Sequence, residues 1–575
     1  MTHNTVRDLS PISLSPTGTV GDALKKLAGH KPAKTRLPAG IILVVDGNRK
    51  LLGIATNGDI NRALASGLPM NTGVAKIMNK DPFVIEGSKS TSEIIAIVAD
   101  KLRKESWQRS RLDRIILIDK NRKPINIVSF YDLWQASDTR FKYIGIVGLG
   151  YVGLTLGLTF ADLDFQVKGY DNNPEVRRIL RHGKSPFFEN GIDTLLNDNL
   201  GKRFHVVDRF NADNHCDIYF IAVGTPLDEN RKPRLEYIKS AAENVGKVLK
   251  PGDLVILRST VPIGTTRNTA IPILEKESGL SAGEDFFVVF GPERTVEGKA
   301  LEELRTLPQV LGGINRASAN LAASIFNEMT DSIHIVDTLE EAEIVKLINN
   351  SYRDVTFAFA NEVSLICQKW DIDTNKVINA ANMGYSRSNV PKPSPGVGGY
   401  CLDKDPYIFM EGARAKGHDP KLLHFAREVN KKILRNLSDD AIKFLKKRQK
   451  RTKNPKVFIM GFAFKGRPAT SDMRGSTTLE LLSHLKKAGF KNIHGYDAVV
   501  SAKEISGLGV KAATPKQGFQ NADVVIVMNN HEHLAELPIR ALLKLAAKEP
   551  VLFDTWALYN RDEVAKIPGA QYRHL

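Results

Sequence analysis

One stretch of this chain restricts the possible fold more than any other. A predicted strand at Tyr143–Val147 is followed by a glycine-rich turn, an apolar helix and a second strand, Gln166–Tyr170, that ends in Asp171. The turn carries three glycines in the spacing G-x-G-x-x-G, namely Gly148, Gly150 and Gly153. In such a βαβ unit the glycines let a pyrophosphate reach the helix N-terminus, and the terminal acid binds ribose hydroxyls. The stretch therefore predicts a doubly wound domain that binds a dinucleotide.

The residues around Asp171 favour NAD over NADP as the cofactor. Asn172–Pro174 follow the aspartate, and none of them is a basic residue that would hold a 2′-phosphate. Tyr151 and Val152, which open the helix after the glycines, are predicted to line the same cofactor site.

Two later strands end in threonines. A strand predicted at Asp217–Val223 leads to Thr225, and one at Leu254–Arg258 leads to Thr260. Ligands of parallel sheets lie at the carboxyl ends of the strands, so both threonines are predicted to touch cofactor or substrate. Each is equally well explained as a helix cap.

Two pairs of polar residues have helical spacing. The segment GPERTVEG offers Glu293 and Glu297, which share a face if that segment is helical. A single long helix is predicted over Glu340–Trp370, and on it Lys346 and Asn350 are i and i+4, so a cation and an amide face the same way. Taken alone, the second pair is typical of a solvated helix face.

The segment SPGVGGYCLDKDPY, residues 394–407, presents one thiol, Cys401, after three glycines and shortly before Asp405. The glycines let the backbone turn sharply and approach a ligand. A helix beginning near Leu402 would place the thiol at its positive end, where a thiolate is favoured. We therefore predict a nucleophilic cysteine, although an isolated cysteine is more often a buried apolar residue.

Residues 1–137 contain an internal repeat. Segments 41–60 and 114–133 each combine two strands with a hydroxyl residue three positions before an aspartate, namely Thr56 with Asp59 and Ser129 with Asp132. The pattern resembles a tandem pair of cystathionine-β-synthase-type (CBS) domains, which implies an adenine nucleotide at these residues and regulation of an attached enzyme. The same pairs are equally well explained as helix caps in a structural or assembly module.

Composition excludes several classes. The formal charge of +17 is spread along the chain, and anionic small ligands explain it at least as well as nucleic acid or a membrane surface. The basic run Lys446–Lys453 is predicted to lie in an exposed linker. The cysteines have no metal-ligand or disulfide spacing, and no apolar run is long enough to span a bilayer. We expect a cytoplasmic protein without a metal or a membrane partner.

A second βα series begins with the strand Lys456–Gly461 and predicts another doubly wound domain. From Phe141 onward, the motifs in this order resemble the nucleotide-sugar 6-dehydrogenases, the family that includes UDP-glucose and UDP-N-acetylhexosamine dehydrogenases. The resemblance implies an NAD-dependent oxidoreductase that converts a sugar C6 alcohol to a carboxylate through a cysteine thiohemiacetal and thioester, for polysaccharide precursors. It also implies a dimer or larger homo-oligomer.

The resemblance assigns roles to individual residues. It implies that Cys401 is the nucleophile, Lys346 and Asn350 stabilise the oxyanion, Asp405 assists proton transfer, and Glu293 and Thr260 position a water. It places Glu297 and Arg474 near the cofactor, and it assigns further substrate contacts to Arg294, Arg387, Gly398 and Lys465.

The expected fold is α/β: two doubly wound Rossmann-like domains joined by a long central helix and preceded by an α+β CBS module. The expected boundaries are a CBS pair at 1–137, an NAD-binding domain at 141–335, a central helical dimerisation domain with the cysteine loop at 336–445, and a UDP-sugar-binding domain at 454–575.

Pro292–Arg294 and NVPKPSPGVGG look like the UDP-N-acetylhexosamine branch. Four features depart from the usual pattern: Tyr400 replaces a histidine, Asp403–Lys404 is atypical, the Lys465–Arg474 loop is two residues longer, and Trp556 replaces an arginine. The UDP-sugar therefore stays open. UDP-glucose oxidation, a two-electron NAD dehydrogenase without a thiol, and a nucleotide-binding regulator without turnover remain alternatives.

Overall fold

The computed structural model describes residues 7–29, 40–89, 93–94, 97, 115–128, 142–387 and 389–575. Its amino-terminal module contains two three-stranded sheets within the described ranges. The strands are β1 (Ser13–Leu14), β2 (Ile41–Val45), β3 (Leu51–Thr56), β4 (Val84–Glu86), β5 (Ile115–Ile118) and β6 (Pro124–Val128), and the helices are α1 (Val20–Gly29) and α2 (Asn57–Ala65).

The two sheets repeat one another in detail, as the internal repeat in the sequence predicts. In each, the first strand pairs parallel with the second, the second pairs antiparallel with the third, and the register shifts at the same place. The hairpin turns match as well, since Arg49 and Arg122 have φ values of 62° and 61°. The halves share one apolar cluster, and the Leu51 amide donates to the Arg122 carbonyl at 3.0 Å.

The first doubly wound domain (residues 142–336) is built on an eight-stranded sheet in the order β14-β13-β12-β11-β10-β7-β8-β9. Its strands are β7 (Tyr143–Val147), β8 (Gln166–Tyr170), β9 (Phe204–Val206), β10 (Ile218–Ile221), β11 (Leu254–Leu257), β12 (Phe287–Phe290), β13 (Gln309–Gly313) and β14 (Ile333–Val336). Its helices are α3 (Tyr151–Asp162), α4 (Pro174–Arg181), α5 (Ile192–Asn199), α6 (Glu236–Gly246), α7 (Ile271–Ser278), α8 (Ala300–Thr306) and α9 (Arg316–Phe326).

The central strands of this sheet are continuous apolar runs, buried on both faces as a helix-covered parallel sheet requires. Neighbouring strands β7 and β10 lie side by side with Val147 opposite Ile221, and the strand order reverses between them. Their carboxyl ends therefore open a crevice, which is the usual ligand site of such sheets.

Long helices form the centre of the chain. The helix α10 (Leu339–Lys369) begins with a capping box in which Thr338 and Glu341 satisfy each other's backbone amides. The other central helices are α11 (Thr374–Asn382), α12 (Asp405–Arg414) and α13 (Lys421–Gln449).

The second doubly wound domain (residues 457–575) has a six-stranded parallel sheet in the order β17-β16-β15-β18-β19-β20. Its strands are β15 (Val457–Met460), β16 (Ile493–Tyr496), β17 (Lys511–Ala512), β18 (Val524–Val527), β19 (Val551–Asp554) and β20 (Gln571–His574). Its helices are α14 (Thr477–Lys487), α15 (Ala502–Gly507), α16 (Pro515–Phe519), α17 (Glu532–Ala535), α18 (Ile539–Leu543) and α19 (Arg561–Ala565). The α/β fold class is thus confirmed.

The segment GPERTVEG is not helical, so Glu293 and Glu297 do not share a helix face; the amides of Arg294 and Thr295 instead donate to the side chain of Glu293. One local prediction is wrong. The basic run does not begin as a linker: α13 continues to Gln449, and Arg448 pairs with Asp523 at 2.8 Å. Among the described residues, we find no helix with the length and apolar character needed to cross a membrane.

Candidate active site

The glycine turn after β7 forms a cradle for an elongated ligand. Gly148 has a φ of 94°, and a Cβ there would lie 2.8 Å from the Ala222 carbonyl oxygen. A Cβ on Gly153 would lie only 1.8 Å from the Gly148 carbonyl oxygen, whereas one on Gly150 would meet no heavy atom within 4 Å. The first and third glycines are therefore required by packing, and the second faces open space where a pyrophosphate fits.

Two further groups fit a dinucleotide. Asp171 accepts a 2.8 Å hydrogen bond from the Leu149 amide, which fixes the carboxylate beside the glycine turn. Thr225 has a buried hydroxyl with no hydrogen-bond partner among the residues that the structure describes. Because buried polar groups are nearly always satisfied, this hydroxyl is available to a ligand at the crevice. Sequence reasoning missed Arg177, which donates to the Asp171 carbonyl and pairs with Asp208.

A buried ion pair lies at the next strand ends. Arg258 follows β11 and donates a 2.6 Å hydrogen bond to Glu293, which follows β12. Burial alone would raise the pKa of Glu293, but Arg258 and, more weakly, the ammonium of Lys346 hold this pKa below its usual range. Glu293 is therefore an anion at neutral pH. Thr260 lies half-buried beyond the end of β11.

The cysteine loop approaches the second doubly wound domain. The Gly399 amide donates to the Gly475 carbonyl at 3.1 Å. Gly399 has a φ of 95°, and a Cβ there would lie 2.6 Å from the ring of Phe464. Gly398 is equally close, since its Cβ would lie 2.6 Å from the Gly475 carbonyl oxygen. These glycines allow close packing that places Cys401 beside the cleft between the domains.

Asp405 gathers the polar groups around this cysteine. Its fully buried carboxylate accepts a 2.5 Å hydrogen bond from the side-chain amide of Asn350 and pairs with Lys404 at 2.7 Å. Burial lowers the pKa of the Lys404 ammonium, but the charge and hydrogen bond of Asp405, together with Cys401 and Tyr400, more than offset this effect and raise the pKa, so Lys404 is charged. The predicted Lys346–Asn350 face of α10 is therefore not a solvated face: both side chains are buried at the site.

The expected helix-terminal thiolate is wrong. Helix α12 begins at Asp405 rather than near Leu402, and the Asp405 amide donates to the carbonyl of Cys401 rather than approaching its sulfur. Cys401 is open to solvent, yet the protein around it desolvates the thiol and raises its pKa. Asp405 raises this pKa further, while Lys346 lowers it. Deprotonation therefore requires a nearby base.

Glu297 lies where the two doubly wound domains meet. Lys465 donates a 2.7 Å hydrogen bond to its carbonyl, and Arg474 lies 3.9 Å from its carboxylate. Burial and the adjacent carboxylate of Asp472 raise the pKa of Glu297 to about 7, against the attraction of Arg474 and Lys465. Lys465 and Arg474, from the second doubly wound domain, thus both reach Glu297 of the first domain.

Tyr400 joins three parts of the site. Its ring contacts two cations, with the Arg474 guanidinium carbon 4.8 Å and the Lys404 nitrogen 5.2 Å from the ring centroid. Its hydroxyl lies 3.1 Å from where a Cβ on Gly224 would stand. A histidine at this position would be too short to reach as far toward the Gly224 turn.

Other predicted residues contact neighbouring groups of the protein itself. Arg294 donates to the Pro308 carbonyl at 3.1 Å, and Arg387 is exposed with its guanidinium 5.0 Å from the ring centroid of Tyr385. Tyr151, at the start of α3, donates to Glu189. Val152 is half-buried beside it.

In the amino-terminal module, Thr56 and Asp59 form a reciprocal capping box at the start of α2, so this pair does cap the helix. Ser129 and Asp132 lie outside the described residues.

The fold and the cleft together define a class: a doubly wound dehydrogenase with a dinucleotide cradle facing a polar, cysteine-bearing loop. Residues 142–330 of this chain match the NAD binding domain of the UDP-glucose/GDP-mannose dehydrogenase family. Residues 340–432 match the central domain of that family, and residues 458–561 match its UDP binding domain. A CBS domain model matches residues 6–66. The chain belongs to the UDP-glucose/GDP-mannose dehydrogenase family, whose members are NAD-dependent nucleotide-sugar dehydrogenases.

Individual relatives agree with this assignment. The chain is 32% identical to the UDP-N-acetyl-D-mannosamine dehydrogenase of Campylobacter jejuni, over 69% of this chain and 97% of that protein. It is 30% identical to the UDP-N-acetyl-D-glucosamine 6-dehydrogenase of Pseudomonas aeruginosa, over 73% of this chain and 98% of that protein. A solved UDP-D-ManNAc dehydrogenase from Pyrococcus horikoshii superposes with a TM-score of 0.66 at 28% identity, covering 75% of this chain and 98% of that one.

Proposed function

We propose that this protein oxidises the C6 alcohol of a UDP-N-acetylhexosamine to the carboxylate, using two NAD and one water and passing through a covalent intermediate on Cys401. The observation that carries the proposal is the convergence of Cys401 with Lys346, Asn350 and Asp405 in one cleft. NAD supplies the hydride acceptor for both oxidations, and the glycine cradle, Asp171 and Thr225 would hold it.

The first oxidation leaves developing negative charge on the C6 oxygen as the alcohol loses its proton. Lys346 is a buried cation on the same helical face as Asn350, whose side-chain amide is oriented by Asp405. A fixed cation and an amide donor at this point stabilise an oxyanion by several kcal/mol. Asp405 is itself held by Lys404, so the donors are oriented before the reaction starts.

The second oxidation uses the thiol. The Cys401 sulfur adds to the aldehyde carbon as its proton is passed to the Asp405 carboxylate, and the thiohemiacetal then loses a hydride to become a thioester. A water adds to the thioester carbon, the C–S bond breaks and the thiol is restored. Starting from the neutral alcohol, the overall change releases two hydrides and three protons and consumes one water. Glu293, kept anionic by Arg258, is the group that would orient this water together with Thr260.

A UDP-N-acetylhexosamine is favoured over UDP-glucose by the segments that resemble that branch of the family and by the activities of the relatives from Campylobacter jejuni and Pseudomonas aeruginosa. A carboxylated sugar nucleotide is a building block for acidic polysaccharide, and we place the enzyme in that route. The amino-terminal CBS module is proposed to bind an adenine nucleotide and to regulate turnover.

The proposal is tested by measuring kcat/KM for UDP-glucose and the UDP-linked N-acetyl derivatives of glucosamine, galactosamine and mannosamine. One N-acetylated sugar should be preferred, and Lys346→Met should lower kcat for it by roughly 10²–10³-fold. Lys369→Met, at the exposed end of the same helix, is the matched control and should change nothing. A preference for UDP-glucose would contradict the sugar assignment, and equal activity of the two lysine variants would contradict the role of Lys346.

A further inference from the structure

The residues that follow Cys401 are held by a buried arginine from α13. Arg427 donates to the carboxylate of Asp403 at 2.6 Å and to the carbonyl of Leu402 at 3.4 Å. The same guanidinium donates to Asp354 of α10 at 2.7 Å. Arg427 is only 3% exposed, so its position is fixed by packing as well as by these bonds.

The residues that precede the cysteine are anchored to the same network. Asn430, one turn beyond Arg427, donates to Asp354 at 2.8 Å and accepts from Asn361 at 2.9 Å. Asn361 in turn accepts from the backbone amide of Ser394 at 2.9 Å. The glycine-rich loop is therefore tied to one buried polar network at both ends. Breaking one of these bonds is costly, because it leaves a buried charged or polar group without its partner.

Asp403 is the member of this network that faces the first doubly wound domain. Its carboxylate is 43% exposed and lies 3.9 Å from Arg231, in the loop after β10. That loop also carries Thr225, the residue with the unpartnered hydroxyl. Asp403 thus connects the cysteine loop, α13 and the loop that borders the cofactor cradle.

We propose that Asp403 is a positioning residue that fixes Cys401 against the cofactor-binding domain. This inference rests on the proposed role of Cys401 as the nucleophile. The charges acting most strongly on the thiol are those of Asp405, Lys346 and Lys404, so Asp403 acts through the position of the loop. Since an error of about 1 Å in a reacting group lowers rates up to 100-fold, a loosened loop should slow chemistry without weakening either ligand.

The test compares Asp403→Asn with Asp403→Glu in the full-length protein. Asp419→Asn is the matched control, because Asp419 pairs with Arg414 at 3.0 Å on the exposed end of α12. Three quantities are measured for each variant: kcat, the dissociation constants of NAD and UDP, and the rate at which iodoacetamide alkylates Cys401. Cys216 and Cys367 are buried, so alkylation reports on Cys401.

Asp403→Asn should lower kcat by roughly 10- to 100-fold and change the alkylation rate, while both dissociation constants stay within about twofold. Asp403→Glu should retain most of the parent kcat and most of the parent alkylation rate, and Asp419→Asn should have the same values as the parent. Arg231→Gln, which removes the link from Asp403 to the first domain and the contact of Arg231 with the Tyr407 ring but leaves Asp403 bound to Arg427, should give a smaller decrease in kcat.

An unchanged kcat or an unchanged alkylation rate in Asp403→Asn would overturn the proposal, as would a loss confined to ligand binding. A failure of the proposed function is distinguished by a separate variant. If Cys401 is not the nucleophile, Cys401→Ala keeps full turnover. The alkylation assay reports on the position of Cys401 in either case, because it does not depend on turnover.

Discussion

The guanidinium of Arg258 and the carboxylate of Glu293 form a 2.6 Å ion pair in which the side chains are 0% and 6% exposed. Removing one partner leaves a buried charge without compensation. Arg258→Met should therefore lower stability by roughly 3–5 kcal/mol and raise the pKa of Glu293, moving the acid side of the pH–rate profile upward.

The control is Arg305→Met, which breaks the exposed pair with Asp162. An exposed pair contributes at most about 1 kcal/mol. Urea unfolding of both variants compares the two effects, and equal midpoints would contradict the account of Arg258.

Glu297 gives the interface between the doubly wound domains a pH dependence. Its folded-state pKa is raised to about 7 by burial and Asp472, so the neutral form is favoured in the native state. Its stabilising contribution is full below the unfolded pKa of about 4.5 and is lost as pH rises through 7. Glu297→Gln should remove this loss, so the stability of the variant relative to the parent increases between pH 5 and pH 8, by at most roughly 3 kcal/mol.

Melting temperatures at several pH values measure this difference. The control is Glu302→Gln, which changes an exposed carboxyl on the next helix. Its melting temperature should differ from that of the parent by the same amount at every pH. A Glu297→Gln difference that is constant with pH would contradict the raised pKa.

Large apolar side chains along α10 are exposed in the single chain. They repeat at helical spacing on one face and form what we call the central stripe: Ile348, Tyr352, Phe359 and Ile366 of α10, together with Trp370, the residue that follows it. Patches of this kind are typical of protein interfaces, and we propose that a second copy covers this one. Phe359→Glu should convert a dimer to monomers in light scattering, whereas Tyr237→Glu, an exposed residue on α6, should not. A monomeric parent protein would contradict the proposal.

The CBS module should respond to an adenine nucleotide through Asp59. In the structure this carboxylate forms part of the capping box of α2 and accepts a 2.6 Å hydrogen bond from Arg62. A nucleotide present at 100 times its dissociation constant should stabilise the parent by about 2.7 kcal/mol. Asp59→Asn should lose this stabilisation by the nucleotide. The variant should also be less stable without nucleotide by roughly 1 kcal/mol, because the helix cap is weakened. Asp81→Asn, exposed in the same module, is the control. If AMP, ADP and ATP change neither the melting temperature nor the reaction rate, nucleotide binding by the CBS module is contradicted and an assembly role for the module is favoured.

Sequence periodicity predicted much of this architecture because the signals are local. The strand ending at Val147, the glycine spacing and the extent of α10 each follow from patterns within a few turns of chain. The capping box of Thr338 and Glu341 explains why α10 begins one residue before the predicted start.

The parts that were missed depend on contacts between distant segments. Arg258 and Glu293 are 35 residues apart, and Arg427 and Asp354 are 73 apart, so neither pair has a local signature. The raised pKa of Cys401 follows from the surrounding protein and from Asp405, whereas the sequence argument considered only a helix end.

The measurement that tests the central claim most directly is the number of NADH formed per sugar consumed, with the carboxylated product quantified in parallel. We predict two NADH per UDP-sugar for the intact protein, and no carboxylated product for Cys401→Ala. One NADH per sugar, or two NADH per sugar from Cys401→Ala, would contradict oxidation through a thioester on this cysteine.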